Sequence, residues 1–541
     1  MAGMATLDWA VVAAYFVLIF GVAFWSGIKS SGSGNTAEGF FLAGKNTGWF
    51  VIGASLFASN IGSEHLIGLA GSGASGGVAV AQFEILAGFM LLLLGWLFVP
   101  FYLASGVFTM PEFIERRYSR GPRLYLAVIS IVGYVLTKIS VTIAAGGIVF
   151  KVLMGIDFWT GALIVVLATG VYTVWGGLRA VLYTDMVQMF VLFGGAIAVT
   201  VIGLNEIGGW QALRMGAGSD YFDLWKPMSH PEFPWTGILF GAPILGVWYW
   251  CTDQFIVQRV MAAHDQDHAR RGTIFAAFLK QLPLFLFVLP GIIAFVLFKS
   301  GAMALDKPDE ALPQLVNTLL PAGLKGLVAA GLLAALMSSL SSVFNSCSTL
   351  FTIDIYKRFK PGASERSLVL VGRLATVVLV GFGLLWIPFM DVISGQLFTY
   401  LQSVQAYISP PIAAVFLIGV LWKRVNSSGA IAALVVGLVL GIGRLVLEMN
   451  QDVLTGMLQR IVNINFLHFA TLLFAICAVV LIIVSLMNPQ HDDAKLKDLT
   501  FATIDRSAPQ TRSDARWKRT DMILSTLVLA VIGIIWVTFT G

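Results

Sequence analysis

SNIGSEH, at residues 59–65, interrupts an apolar run that extends from Trp49 to Ala70. Backbone that leaves the helix at bilayer depth is tolerated only where it is buried in protein or lines a water-filled cavity. Broken helices surround the binding sites of many transporters, because half-helix ends and freed carbonyls suit ions and polar solutes. The interruption therefore predicts a transporter with a binding site at this point.

Composition indicates an all-α integral membrane protein. Of the 541 residues, 57% are hydrophobic and 12% are charged, whereas soluble domains average about 25% charged residues. Fourteen segments are long and apolar enough to cross a hydrocarbon core of about 30 Å, which predicts 14 transmembrane helices. They lie at residues 8–28, 47–74, 77–104, 122–151, 158–178, 181–205, 235–263, 273–299, 324–356, 368–388, 392–422, 429–449, 465–487 and 522–540.

Basic residues between the segments predict the orientation of the chain, because lysine and arginine accumulate in cytoplasmic loops. With the N-terminus placed outside, 24 basic residues, Arg259 among them, fall in inner loops and seven in outer loops. Both termini are therefore expected to be extracellular or periplasmic. The net charge of +5 follows from this loop bias and indicates no nucleic-acid partner. The bilayer is the expected environment, in a plasma membrane and by preference a bacterial inner membrane.

A second polar break, GVWYWCTDQ at residues 246–254, lies five segments after the first. A five-helix unit repeated along the chain enters the membrane from the opposite side the second time, which predicts a five-plus-five inverted repeat. The expected organisation is a single membrane domain over residues 1–541. Its parts are an extra N-terminal helix (8–28), the first repeat (47–205), the second repeat (235–422), peripheral C-terminal helices (429–487 and 522–540) and a cytoplasmic linker (488–521).

Two ionisable residues stand inside predicted segments, where a charge is expensive. Glu84 lies about two turns into the third segment and Lys280 about two turns into the eighth. One interpretation is structural: the two residues form an ion pair, or Lys280 extends its ammonium group inward to the membrane surface. The other is that Glu84 accepts from and Lys280 donates to the hydroxyls of a substrate.

The ninth segment carries four hydroxyls in ALMSSLSS, residues 335–342. Such hydroxyls often bond back to their own helix, so packing alone is one interpretation. The other is that Ser338 and Ser339 join carbonyls of the first break to coordinate a hard cation that must also leave.

These motifs resemble the sodium:solute symporter family, and within it the sodium/glucose cotransporters. The matches run in order along nearly the whole chain: FFLAGK (40–45), GASL (53–56), NIGS (60–63), WYWCTDQ (248–254), VQR (257–259), MSSL (337–340), FNS (344–346) and PPIAAVF (410–416). The resemblance implies sodium-coupled import of a monosaccharide by alternating access, with Na⁺ as the coupling ion and no enzymatic activity.

The resemblance also implies the residues of each site. Sodium would be held by the carbonyls of Ala58, Ile61 and Ala335 and the hydroxyls of Ser338 and Ser339. Sugar would be bound by Asn60, His65, Phe83, Glu84, Tyr249, Trp250, Lys280 and Gln402, with Tyr249 as the inner gate. Alternatives stay open for four of them: His65 as a core histidine, Tyr249 and Trp250 as packing aromatics, and Gln402 as a bond between helices.

A second sodium ion is implied at Asp185, Ser341 and Ser342, although Asp185 also suits the N-terminus of its helix. Glucose is favoured over galactose, because His65 matches the animal glucose carriers where the bacterial galactose carriers have glutamine. Myo-inositol and other polyols stay open.

Functions of other classes fit less well. A channel would need a continuous polar lining, and an enzyme would need an assembled catalytic group. A membrane sensor that binds sugar without moving it stays open. No obligate protein partner is implied.

Overall fold

The computed structural model describes residues 4–29, 36–386, 397–489, 493–505 and 513–541. Within these ranges the regular structure is helical, and the only strand-like features are two isolated bridges, Thr47 with Ala263 and Asp223 with Thr540. The multi-pass helical fold predicted from the sequence is confirmed. The predicted segment ends at Pro388 and Val392, and residues 490–492 and 506–512 of the predicted linker, lie outside the described residues.

The α-helices up to the second break are α1 (Thr6–Lys29), α2 (Ala37–Leu42), α3 (Trp49–Asn60), α4 (Ser63–Gly76), α5 (Gln82–Leu93), α6 (Val99–Ser105), α7 (Met110–Arg117), α8 (Arg120–Tyr134), α9 (Ser140–Ile148), α10 (Phe158–Glu206), α11 (Trp210–Ala217), α12 (Trp235–Phe240) and α13 (Ala242–Gly246).

The α-helices after it are α14 (Gln254–Met261), α15 (Gln266–Leu279), α16 (Leu289–Lys299), α17 (Ala311–Leu319), α18 (Leu324–Thr349), α19 (Lys357–Phe359), α20 (Glu365–Trp386), α21 (Leu397–Leu421), α22 (Ser427–Met449), α23 (Gly456–Val462), α24 (Phe466–Met487) and α25 (Ala515–Thr538).

Ten spans in the described ranges are long and apolar enough to cross a membrane. They do not correspond one to one with the fourteen predicted segments. Residues 47–74 are divided between α3 and α4, and the second of these continues into the span of the third segment. Residues 235–263 form α12 to α14, residues 158–178 are the first part of α10, and residues 368–386 fall on α20. The count of fourteen therefore stays a prediction.

Gly177 divides α10 at the point where the sequence predicts a loop between two segments. Its φ of 56° and ψ of −156° lie outside the helical region. A Cβ at this position would stand 2.6 Å from the carbonyl oxygen of Phe40. Only glycine satisfies both the backbone angle and the close approach, so the predicted loop is reduced to one kinked residue.

The inner core is built around α18, which is almost wholly buried and packs against α10, α1 and α3. The helices α22, α24 and α25 expose most of their surface, as expected for helices that face lipid. The helix α3 lies close to α15, since a Cβ on Gly53 would stand 2.7 Å from the Gly272 carbonyl oxygen. This approach brings Asn60, at the end of α3, to the level of Lys280, which follows α15.

Several spans contain a π-helical turn, at Leu94–Phe98, Val135–Ile139, Val149–Met154, Val247–Thr252, Leu284–Val288 and Leu350–Tyr356. A π-turn disturbs the normal helical hydrogen bonds and is found often at functional sites. The turn at Val247–Thr252 carries Tyr249 and Trp250, two of the residues predicted to contact substrate.

Candidate binding site between two broken helices

The first break separates α3 from α4 at Ile61 and Gly62, whose ψ angles of 81° and 178° are not helical. The amide of Ile61 donates to the Phe57 carbonyl and the amide of Gly62 to the Asn60 carbonyl. Neither amide reaches the carbonyl of Ala58, which therefore loses its partner along the helix. The carbonyl of Ile61 likewise lacks the amide of His65, which donates to Gly62. Two of the three carbonyls predicted as sodium ligands, those of Ala58 and Ile61, thus have no amide partner along the helix.

The second break lies at Asp253, where ψ is 128°, directly after the π-turn and before α14. Asp253 caps α14 by accepting the amide of Phe255 at 3.2 Å. Its carboxylate also accepts from Lys138 Nζ at 2.8 Å and from the Tyr134 hydroxyl. The break predicted at residues 246–254 is therefore real, and it is anchored to the α8 span by a buried ion pair.

The two breaks meet at Asn60. Its Nδ2 donates to the Tyr249 hydroxyl at 2.9 Å, and its Oδ1 accepts from Lys280 Nζ. Lys280 Nζ also donates to Glu84 Oε2. All of these side chains except the partly exposed Tyr249 are buried. Four residues predicted for sugar binding thus form one hydrogen-bonded chain from the first break to the second.

A pocket opens beside this chain. Seven of the eight predicted sugar residues line it: Asn60, His65, Phe83, Glu84, Tyr249, Trp250 and Gln402. Lys280 stands behind the wall and reaches the cavity through Asn60 and Glu84. The structure therefore brings together the full predicted set.

His65 lies between two carboxylates. Its Nε2 is 3.9 Å from Glu84 Oε1 and its Nδ1 is 3.5 Å from Glu64 Oε1. The Nδ1 atom is buried without a hydrogen-bond partner among the described residues. His65 therefore lines the cavity next to Glu84, which is compatible with a binding role.

Sequence reasoning missed three residues of this site. Glu64 is buried in the first turn of α4, directly after the first break, and accepts from the Thr142 hydroxyl at 2.9 Å. Gln405 lies one turn after Gln402 and also lines the cavity. Met90 fills the space beside Gly246, where a Cβ would stand 2.7 Å from Met90 Cγ. The spacing of Gln402 and Gln405 on one helix was a signal that could have identified Gln405.

The hydroxyl of Ser339 donates to the Ser59 carbonyl at 3.0 Å, so α18 contacts the first break at one of the predicted sodium ligands. Ser338 behaves differently from the prediction, because its hydroxyl donates to Asp185 Oδ1 at 2.5 Å rather than facing the carbonyls of the break. One helical residue changes the direction of a side chain by about 100°, so adjacent serines face different partners.

Asp185 is the centre of a buried polar cluster. Its Oδ2 accepts from Ser55 at 2.6 Å and from Ser59 at 2.8 Å, and Arg259 Nη2 lies 3.7 Å away. Arg259 also donates to Ser342. The hydroxyl of Ser341, by contrast, donates to its own helix at Ser338. The set predicted for a second sodium ion is therefore only partly assembled, and a guanidinium already balances its carboxylate.

Arg259 contradicts the prediction from loop charge. The charge pattern assigns it to an inner loop, but it lies on α14 with its side chain completely buried against α3 and α18. Positive charge near the end of a segment indicates a loop only on average, and here the charge is needed to compensate Asp185.

Tyr249, the predicted inner gate, lines the cavity, and Lys138 Nζ lies 4.4 Å from the centre of its ring. We expect Tyr249→Ala to increase the rate at which bound labelled sugar is lost roughly tenfold, which corresponds to about 1.4 kcal/mol. Tyr249→Phe keeps the ring and should change this rate much less. Equal rates in both variants and the wild-type chain would exclude a gate at Tyr249.

The chain was compared with known proteins. The model of the sodium:solute symporter family matches residues 40–437, well over half of the chain. The chain is 41% identical to sodium/glucose cotransporter 4 of Mus musculus, over 93% of this chain and 78% of that protein. It is 40% identical to a sodium/mannose cotransporter of Bos taurus, over 94% of this chain and 91% of that protein.

Solved structures share the fold at lower identity. A Na⁺-coupled sialic acid symporter in a substrate-bound outward-open state matches with a TM-score of 0.78 and 22% identity, over 90% of this chain and 99% of the other. A nucleobase-cation-symport-1 family transporter in a closed conformation matches with a TM-score of 0.51 and 16% identity, over 86% and 98% of the two chains. The family model and the identity to its members together place the chain in the sodium:solute symporter family.

Proposed function

We propose that this chain is a sodium-coupled symporter that imports a monosaccharide by alternating access. Membership of the family makes it a transporter and not an enzyme. The observation that carries the proposal is the chain of hydrogen bonds from Glu84 through Lys280 and Asn60 to Tyr249, because it links donors and acceptors for sugar hydroxyls to both broken helices.

Sodium would bind between the freed carbonyls of Ala58 and Ile61, the Ala335 carbonyl and the hydroxyls of Ser338 and Ser339. A ligand shifts a conformational equilibrium only through its differential affinity for the two states. In this proposal sodium favours the outward-open form because it joins the first break to α18. In our mechanism Ser338 turns from Asp185 towards the ion, and closure then releases sodium and sugar to the inside past Tyr249.

Glucose is the substrate we favour, and the names of the relatives, sodium/glucose and sodium/mannose cotransporters, support a hexose. Galactose, myo-inositol and other polyols are the alternatives. Met90 beside Gly246 narrows the cavity with an apolar side chain, which favours a substrate that presents carbon rather than a hydroxyl at this wall.

The proposed topology has fourteen transmembrane helices in one membrane domain with both termini outside. The helix at 8–28 precedes an inverted pair of repeats at 47–205 and 235–422, the helices at 429–487 and 522–540 are peripheral, and 488–521 is a cytoplasmic linker. A bacterial inner membrane is the proposed location, and no obligate protein partner is proposed. Labelling of cysteines introduced at the two termini, from each side of the membrane, tests the orientation.

Uptake of labelled glucose into proteoliposomes tests the function. We expect uptake with an inward sodium gradient and none with an equal potassium gradient. One sodium ion that moves down about 100 mV and a tenfold gradient supplies about 3.7 kcal/mol, enough for roughly 500-fold accumulation of a neutral solute. Sugar binding without uptake, across a panel that includes galactose, mannose and myo-inositol, would support the sensor instead.

Ser339→Ala tests the sodium site. The loss of one of five ligands should raise the half-saturating sodium concentration roughly tenfold, or about 1.4 kcal/mol. Sugar affinity at saturating sodium should stay the same. Ser346→Ala is the matched control on the same helix, because that hydroxyl donates to the Ser342 carbonyl at 2.9 Å and to Gln258 Oε1 at 3.3 Å and to none of the proposed sodium ligands. An unchanged sodium response in Ser339→Ala would contradict the assignment.

A further inference from the structure

Two histidines and an aspartate converge in the connection between α14 and α15. One donor atom each from His264, Asp265 and His268 lies within 4.8 Å of the other two. His264 Nδ1 is 2.9 Å from Asp265 Oδ2, and His268 Nδ1 is 3.0 Å from Asp265 Oδ1. The sodium and sugar sites described above use none of these residues.

The two histidine nitrogens are hydrogen-bonded to the two oxygens of Asp265, at 2.9 and 3.0 Å. Zinc lies about 2.0–2.1 Å from histidine nitrogen and about 2.0–2.2 Å from carboxylate oxygen, so two ligands of one tetrahedral ion stand roughly 3.3–3.5 Å apart. An ion that replaces the shared protons therefore needs these contacts to open by about half an ångström. Small rotations of the imidazole rings are enough to admit an ion where the nitrogens and the carboxylate face each other.

The backbone holds the three side chains in place. Asp265 caps α15 by accepting the amide of His268 at 2.8 Å. The amide of His264 donates to the Thr47 carbonyl at 3.1 Å, next to the bridge between Thr47 and Ala263. Both ends of the segment are therefore fixed. Metal binding should then lose less conformational entropy, because the loop is already ordered.

The cluster is also accessible. The side chains of His264 and Asp265 are 61% and 44% exposed, and that of His268 is 28% exposed. The cluster lies in the loop between the predicted segments 235–263 and 273–299, and that loop is predicted to face the cytoplasm. An ion from solution can reach the cluster without opening the fold, and water can complete its coordination.

We propose that His264, Asp265 and His268 form a binding site for a divalent transition-metal ion such as Zn²⁺. Two imidazoles with one carboxylate suit zinc, nickel, cobalt or copper, whereas sodium, magnesium and calcium prefer oxygen ligands. A bound ion joins the end of α14 to the first turn of α15. It therefore stiffens the connection between the second break and the helix that leads to Lys280.

Calorimetric titration of Zn²⁺ into the full-length, tag-free protein, after treatment with a chelator, tests the proposal. We expect one ion per chain, with an affinity that falls roughly tenfold to a hundredfold in His264→Ala and in His268→Ala. The matched controls are His230→Ala and His468→Ala, at histidines outside the cluster, which should bind zinc like the wild-type chain. The absence of saturable binding, or equal affinity in the double variant His264→Ala/His268→Ala, would overturn the proposal.

Two further variants separate metal binding from folding. Asp265→Asn keeps a residue that caps helices well but removes the charge, so zinc affinity should fall while thermal stability in the presence of chelator is retained. The His268 ring lies 5.0 Å from the Trp517 ring. Binding of Cu²⁺ should therefore quench part of the tryptophan fluorescence, and Trp517→Phe should abolish that part. Quenching that is identical in His268→Ala would contradict the site.

Discussion

Glu84→Ala is expected to abolish sodium-driven sugar uptake. The variant removes a carboxylate that lines the cavity and leaves Lys280, which is 1% exposed, without its counter-charge. Breaking a buried ion pair costs about 3–5 kcal/mol, so the amount of folded protein should fall as well. Uptake of labelled glucose per folded molecule, with folding measured by thermal melting in detergent, gives the two effects separately.

The double variant Glu84→Leu/Lys280→Met decides between a structural ion pair and a sugar site. Replacing both members of a buried pair by apolar side chains of similar volume is often neutral or stabilising. We therefore expect folding to recover in the double variant while sugar binding and uptake stay at background. Recovery of both would show that the pair is only structural, and the proposal for these two residues would be withdrawn.

Asp185→Asn is expected to reduce sodium-driven uptake nearly as strongly. The carboxylate accepts from Ser55, Ser59 and Ser338 and lies beside the completely buried Arg259. When Asp185 loses its charge, Arg259 is left as a buried cation without this anion, and the free energy of unfolding should fall by about 3–5 kcal/mol. Melting temperature and the sodium dependence of uptake are the measurements, and wild-type values for both would contradict this account.

Asp185→Asn/Arg259→Gln is the matched control, since it removes both charges and keeps hydrogen-bonding groups. We expect its stability to exceed that of the single variant. The same pair also tests the second sodium ion, through the ratio of sodium to sugar obtained from reversal potentials. A ratio of two in the wild-type chain and one in the double variant would place an ion at Asp185, whereas a wild-type ratio of one would exclude it.

The sequence predicted which polar residues lie together in the core, because polar atoms are rare at bilayer depth. Glu84, Lys280 and Asn60 stand out in apolar segments, and each needs a partner in a medium without water. The list of candidate partners is short, so pairing Glu84 with Lys280 follows almost from their presence. The structure places these residues together at the cavity as predicted.

The contacts of the residues proposed to bind sodium were predicted less completely, because a run of hydroxyls does not indicate which way each one points. Ser338 and Ser339 are adjacent, and only the rotation of α18 assigns the first to Asp185 and the second to the break. The prediction of Arg259 in an inner loop was wrong for a related reason. Burial of a side chain depends on how α14 packs, and composition does not show packing. Glu64 was missed because the sequence predicts a polar interruption at its position, where a charged residue is expected to face water, whereas it lies buried in the first turn of α4.

The boundaries of the helices show the same limit. Hydropathy marks where a segment is apolar, and it identified ten spans that the structure contains within the described ranges. It does not register the conformation of single residues. Gly177 kinks α10 because its own φ is positive. Asp253 ends the π-turn although the residues directly before it are apolar.

The hydrogen bonds of Asn60 have a consequence for how tightly sugar is bound. Its Oδ1 accepts from Lys280 and its Nδ2 donates to Tyr249. An amide offers two lone pairs and two N–H bonds, so a sugar hydroxyl can join these partners without displacing them. Such a bond replaces one to water and yields only about 0.5–1.5 kcal/mol, and modest affinity suits a carrier that must release what it has bound.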